Sequence, residues 1–246
     1  MNSLQLLRTI RAKIKKAPVV LCHSITNRCN LRCKFCPFWR ETKLPELSFE
    51  EIKNLIDQGV ALGAIIYNVW GGEPLIREDL ASCLRYAKKR GMINFLITNG
   101  ILLEERIDEI ASDLDYLAIS IDGIETYNEL RIGGELSKVL RGLELASKKS
   151  SKYKFKTAIN CVITNKNLAE LEKLVKIAES YRVGILFEPV HEYEELSNET
   201  WQELGIRNLV EYRRAIDRLI ELKKNHRILN SIAYLKMIRD LKPDFK

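Results

Sequence analysis

Along the chain, short apolar runs alternate with stretches in which apolar residues recur every three or four positions. The run "PVVLCHSIT" (18–26) reads as a strand, and "SFEEIKNLIDQGVALG" (48–63) as an amphipathic helix. Ser48 stands at the N-cap of that helix and Glu51 three residues on, the pair that forms a capping box. The alternation then repeats. Strands are predicted over 64–70, 93–98, 115–121, 154–163 and 183–190, and helices from about Arg77 to Arg90 and near 104–113, 137–149 and 167–181. Two more helices are predicted over 200–224 and 228–241. Six β–α repeats imply parallel strands joined by right-handed crossovers.

An open doubly wound sheet and a partial barrel both fit that pattern. Residues able to do chemistry fall at the carboxyl ends of nearly every strand, where barrels build their sites. The expected fold is therefore α/β, a partial (β/α)6 TIM-like barrel with a basic amino-terminal helix and carboxyl-terminal helices. The expected division is an amphipathic segment over 1–17, a core over 18–199 and a helical segment over 200–246. In the first of these, Leu4, Leu7, Arg8, Arg11, Ile14 and Lys15 follow helical spacing. Such a helix either lies on a membrane surface or closes the bottom of the barrel.

Composition narrows the class. The chain has 246 residues, 46% hydrophobic and 30% charged, an ordinary globular balance. No apolar run is long enough to cross a bilayer, and the basic start lacks the apolar core and cleavage site of a signal peptide. A cytoplasmic location is expected, where thiols stay reduced and clustered cysteines point to metal or redox chemistry. The net charge of +7 is uneven: residues 1–43 carry ten Lys/Arg and one acid, Glu41. That basic region surrounds the cysteines. It suits an anionic substrate, a membrane surface, nucleic acid or an acidic electron donor, or is simply a solvated face. The nucleic-acid reading lacks a recognised binding motif and an evident stacking platform.

The chemistry concentrates in "SITNRCNLRCKFCPFWR" (24–40), which spaces Cys29, Cys33 and Cys36 as C-x3-C-x2-C directly after the first strand. A closed zinc site wants four ligands, and an electron-transfer iron–sulfur cluster usually wants four cysteines. Three thiols on one short loop suggest a cubane with one iron left for a ligand that is not protein. A zinc-binding loop that recruits a histidine such as His23 is the alternative. With Phe35 just before the third cysteine, the motif resembles the signature of radical S-adenosylmethionine enzymes. The core is similar to the SPASM and molybdenum-cofactor-biosynthesis-A-like branch, without the cysteines of its auxiliary clusters. That resemblance implies that Cys29, Cys33 and Cys36 bind a [4Fe–4S] cluster and that S-adenosylmethionine takes the fourth iron. It also implies a reductant such as ferredoxin or flavodoxin. The reduced cluster would then cleave the cofactor to methionine and a 5′-deoxyadenosyl radical, which abstracts hydrogen from a substrate.

Further motifs follow strand by strand. In "WGGEPLI" (70–76), Gly71 and Gly72 permit a sharp turn and close approach, and Glu73 and Pro74 complete the GGEP motif that in the resembled family meets the methionine amino group. Thr98 and Asn99 end the third strand, although Asn-Gly is equally a plain turn. In "LAISIDG" (117–123), Leu117, Ile119 and Ile121 share one face, and Ala118, Ser120 and Asp122 the other. Ser120 and Asp122 would reach the nucleoside, unless Asp122 is only a turn residue before Gly123. Arg131 pairs with the cofactor carboxylate in such enzymes, or is a surface residue. Asn160 is expected to face inward, with Cys161 turned toward the helices as a small hydrophobe. Glu188 and His191 are candidates near the substrate or simple loop residues. By analogy alone, a peptide, protein or small-molecule precursor is favoured as substrate over a lipid. No cysteine follows Cys161, so either one cluster suffices or the working form is longer.

Overall fold

The computed structural model describes residues 17–40 and 43–240. The amphipathic segment read over 1–17 lies, but for Ala17, outside them. Six strands form one sheet: β1 (Val20–Ser24), β2 (Ile66–Trp70), β3 (Ile93–Thr98), β4 (Tyr116–Ser120), β5 (Lys156–Ile163) and β6 (Gly184–Pro189). All neighbouring pairs are parallel, and the order across the sheet is the order along the chain. That order decides between the two expected architectures. A doubly wound sheet reverses direction at a switch point. Here every right-handed crossover advances the same way, so the helices stack on one face and the sheet wraps as a partial barrel.

The helices longer than one turn are α1 (Phe49–Leu62), α2 (Leu80–Lys89), α3 (Leu103–Ile110), α4 (Leu136–Tyr153), α5 (Leu171–Ser180), α6 (Asn198–Leu204), α7 (Leu209–Leu222) and α8 (Ile232–Asp240). The capping box that starts α1 is present: Ser48 Oγ accepts from Glu51 N at 3.4 Å, and Glu51 Oε2 accepts from Ser48 N at 2.8 Å. The helix then buries Ile52 and Ile56, one turn apart. Helix α2 starts at Leu80 rather than near Arg77, because Pro74–Ile76 forms a separate 3₁₀ turn. The helix expected over 200–224 is two helices. Gly205 closes α6 by donating to the Trp201 carbonyl at 2.9 Å, and Asn208 opens α7 by accepting from Glu211 N at 3.1 Å.

One core lies between the sheet and its helices. Tyr67, Val69, Leu96, Leu117, Ile119, Ile159, Ile185 and Phe187 point into it from the strands. Tyr212, Ile216, Leu219, Leu235 and Ile238 of α7 and α8 belong to the same cluster, so the carboxyl-terminal helices are built into the core. The alternate strand positions face the other way and form the concave side of the sheet.

The β6 edge is closed without a seventh strand. Ile185 N donates to Arg227 O at 3.0 Å and Leu229 N to Ile185 O at 2.8 Å. Asn230 then receives Phe187 N on its Oδ1 at 2.8 Å and donates its Nδ2 to Phe187 O at 2.9 Å. Its side-chain amide stands in for a strand's backbone.

Candidate active site

A cavity of about 350 Å³ opens at the carboxyl ends of the strands, and Cys29, Cys33 and Cys36 all line it. Their loop is held by backbone pairing that continues past the ends of β1 and β2: Gly72 N donates to Thr26 O at 2.6 Å and Glu73 N to Arg28 O at 2.8 Å. This explains the two glycines. A Cβ on Gly71 would stand 2.4 Å from Thr26 O, and one on Gly72 only 2.2 Å from Arg28 O. Gly71 also has φ of +140°, a region that side chains disfavour. The close approach is thus to the cysteine loop itself, and both glycines still line the cavity.

Three further contacts hold the loop from outside the first βα unit. Arg32–Cys33 pairs antiparallel with Arg131–Ile132 as a two-residue ribbon. Asn99 Nδ2 donates to Asn30 Oδ1 at 2.7 Å and approaches Cys29 Sγ at 3.9 Å. Arg131 reaches Cys33 Sγ with Nη1 at 3.7 Å, lies over the Phe35 ring at 5.4 Å, and donates its Nε to Asp122 Oδ2 at 2.6 Å.

Glu73, Pro74 and Asp122, expected beside the ligand, do not themselves line the cavity but lie directly behind residues that do. The Glu73 carboxylate is fully buried, and it accepts from Leu75 N at 3.0 Å, Thr98 Oγ1 at 2.7 Å and Asn99 N at 2.7 Å. It ties the β2 loop to the end of β3. Burial pushes its pKa up, against the pull of those three donors. Pro74 starts the 3₁₀ turn. Asp122 is fully buried because the buried Arg131 guanidinium requires a partner, and its second oxygen accepts from Val162 N at 2.8 Å. Arg131 lines the cavity, and its five N–H donors exceed the two that Asp122 and Cys33 engage.

Ser120 and Asn160 face each other in register across β4 and β5 and line the cavity. Asn160 Nδ2 donates to Glu188 Oε1 at 2.8 Å. Cys161 turns the other way into the core. Phe35, Asn99, Glu188 and His191 are on the cavity wall as well, His191 at its exposed rim. The aromatic wall is what the sequence reading missed. Phe38 meets Trp70 edge-on at 5.0 Å and Tyr193 at 6.1 Å. Trp70 ends β2, Phe38 follows the cysteines and Tyr193 lies beyond β6, and a lone aromatic at each of three distant positions carries no signature.

Burial raises all three thiols, Cys33 to about 11, so three thiolates together call for a cation in the cavity. The donor set fits an iron–sulfur cluster better than one ion. Among the described residues, no three His, Cys, Asp or Glu side chains converge tightly enough to hold a single metal. His23, the histidine available to a zinc site, sits on the helix side of β1 with Nδ1 2.8 Å from the Tyr67 hydroxyl. It does not line the cavity.

Residues 23–178 match the family model described as the Radical SAM superfamily. The chain belongs to that superfamily. Over 170 residues it is 34% identical to the AdoMet-dependent heme synthase of Methanosarcina barkeri, a match covering 66% of this chain and 48% of that protein. Over 170 residues it is 30% identical to the PqqA peptide cyclase of Granulibacter bethesdensis, covering 66% of this chain and 44% of that one. The chain spans about half the length of the curated relatives it matches. The radical SAM fold agrees with the structure of Streptococcus suis SuiB bound to S-adenosylmethionine: TM-score 0.73 at 18% identity, over 92% of this chain and 54% of that one. SuiB has also been solved bound to its precursor peptide SuiA. No described helix is long and apolar enough to cross a membrane.

Proposed function

We propose that this chain is the catalytic core of a radical SAM enzyme, with Cys29, Cys33 and Cys36 holding a [4Fe–4S] cluster and S-adenosylmethionine in the adjoining space. One observation carries the reading. Three thiols from one loop face a cavity whose other walls offer glycine backbone, amides, a hydroxyl and a guanidinium. When bound, the reduced cluster and S-adenosylmethionine supply a 5′-deoxyadenosyl radical that takes hydrogen from a substrate C–H bond.

The chain's own residues bind and orient. Gly71 and Gly72 present a backbone edge beside the cysteines, and Arg131 offers its remaining donors to a carboxylate. Ser120, Asn99 and Asn160 give neutral hydrogen bonds suited to a nucleoside. Glu73, Pro74 and Asp122 act from behind the wall: Glu73 fixes Asn99, and Asp122 fixes Arg131. Phe35, Trp70 and Phe38 exclude water from the cavity. No residue here has to move a proton.

Glu188 and His191 are assigned to the substrate side. The substrate class is a peptide or a small-molecule precursor, supported by the peptide-cyclase and heme-synthase relatives and by the peptide-bound structure of SuiB. The electron comes from a ferredoxin or flavodoxin, and the compartment is the cytoplasm, in keeping with six unpaired cysteines among the described residues.

The test is anaerobic. Protein reconstituted with iron and sulfide and reduced with dithionite is expected to convert S-adenosylmethionine to 5′-deoxyadenosine, and Cys33→Ala to make none. A colourless protein holding stoichiometric zinc and forming no 5′-deoxyadenosine sinks the proposal.

A further inference from the structure

Two arginines share one tryptophan on the cysteine loop, Trp39, which also lines the cavity at its rim. The guanidinium carbons of Arg32 and Arg40 each lie 5.1 Å from the centroid of the Trp39 ring. Both side chains are exposed. Like charges gathered on one ring repel, which favours an anionic partner beside them. Among the described residues neither arginine has a carboxylate hydrogen bond; both are pinned by backbone carbonyls. Arg32 Nη1 donates to Cys29 O at 2.8 Å and to Leu31 O at 2.9 Å, and Arg40 Nη1 to Glu195 O at 2.8 Å. By contrast, the neighbouring Arg28 and Lys34 are each paired with acids. The acids Glu192, Glu194 and Glu195 follow on the adjoining loop, so the positive ground is bounded on that side.

The platform is wired to the cysteines. Trp39 Nε1 donates to the Cys33 carbonyl at 3.2 Å, and Arg32 is the residue before Cys33. Arg32 and Trp39 hydrogen-bond to the cysteine loop, and Arg40 to Glu195 on the loop that follows β6. We infer that the Arg32–Trp39–Arg40 platform is the docking surface for an acidic one-electron donor protein, which delivers its electron beside Cys33. The inference rests on the cluster assignment above. In the step the donor is oxidised by one electron and the cluster is reduced by one, with no bond made or broken. Electron-transfer encounters of this type are small and transient, and complementary charge sets their rate more than their affinity.

The experiment mixes anaerobically reconstituted protein with a reduced acidic flavodoxin and follows bleaching of the cluster absorbance by stopped flow, with dithionite as the small-molecule control. The wild-type rate with flavodoxin should fall as salt rises. Arg32→Gln/Arg40→Gln should slow it roughly ten-fold or more and leave the dithionite rate and iron content unchanged. If the double variant loses iron, Arg40→Gln alone, with full iron content, decides by the same two rates. A variant reduced by flavodoxin at the wild-type rate, or a wild-type rate indifferent to salt, overturns the inference. So does salt-sensitive binding of a single-stranded RNA probe that the variant loses while its flavodoxin rate holds, since the platform would then serve nucleic acid. A wild-type protein that assembles no cluster refutes the proposed function instead, and is recognised by its lack of colour before any donor is added.

Discussion

His23 shows how a chemically capable side chain can be taken out of the chemistry. One residue from the end of β1, it faces the helices, and its ring meets Tyr67 instead of the cysteines. Burial, helped by the Arg77 charge, lowers its pKa from 6.5 to about 4. The folded state therefore binds a proton less readily than the unfolded chain. The stability this contributes is present above pH 6.5 and is lost as pH falls toward about 4. Urea unfolding followed across that range should show wild type losing stability with acid more steeply than His23→Gln. Equal slopes would mean that the histidine is not held neutral. Glu73 is the converse case, a carboxylate kept buried by three donors that lie up to 26 residues away in sequence.

Among the helices, α6 packs on the cysteine loop. Leu204 belongs to a small apolar cluster with Leu31, Cys33, Phe35, Leu130 and Val190, and Trp201 packs against it. Four charges surround this contact: Lys34 lies 3.1 Å and Lys166 also 3.1 Å from Glu203, and the same lysines reach Glu129 at 3.6 and 3.1 Å. These side chains are about one-third exposed, so the network contributes little. Packing should dominate. Trp201→Ala is expected to cost about 1–3 kcal/mol in urea unfolding and to speed iron loss to a chelator. Glu203→Gln should stay within about 1 kcal/mol of wild type. The reverse ranking would make the ion network the true clasp. None of this was legible in the sequence. The span 200–224 reads as one helix because its apolar spacing barely breaks at Gly205, and the break comes from the caps supplied by Gly205 and Asn208.

At the scale of the whole molecule, what was legible is what periodicity encodes. The two-residue period of "LAISI" separates Leu117 and Ile119 from Ala118 and Ser120, and the structure keeps that separation. The cysteine spacing announced three thiols with a common purpose, and they do face one cavity. Long-range partnerships were not legible. The pairing of Asp122 with Arg131, and of Glu73 with Thr98 and Asn99, has no trace in the motifs that single those carboxylates out. Such pairings depend on which strand ends the fold brings together, and spacing along the chain does not record that.

Asn230 carries a consequence of the open sheet. Strands left with free backbone groups recruit other chains, and β6 is a sheet edge. With both amide atoms on Phe187, Asn230 occupies the bonds that a stranger's strand would use. Asn230→Ala should therefore leave far-UV circular dichroism almost unchanged while lowering the concentration at which the protein precipitates on mild heating, as light scattering would report. A variant that scatters no more than wild type would show that the contacts of Arg227 and Leu229 guard the edge unaided. A partial barrel must stay open to admit its ligands, and here one amide keeps an exposed seam from becoming a template for aggregation.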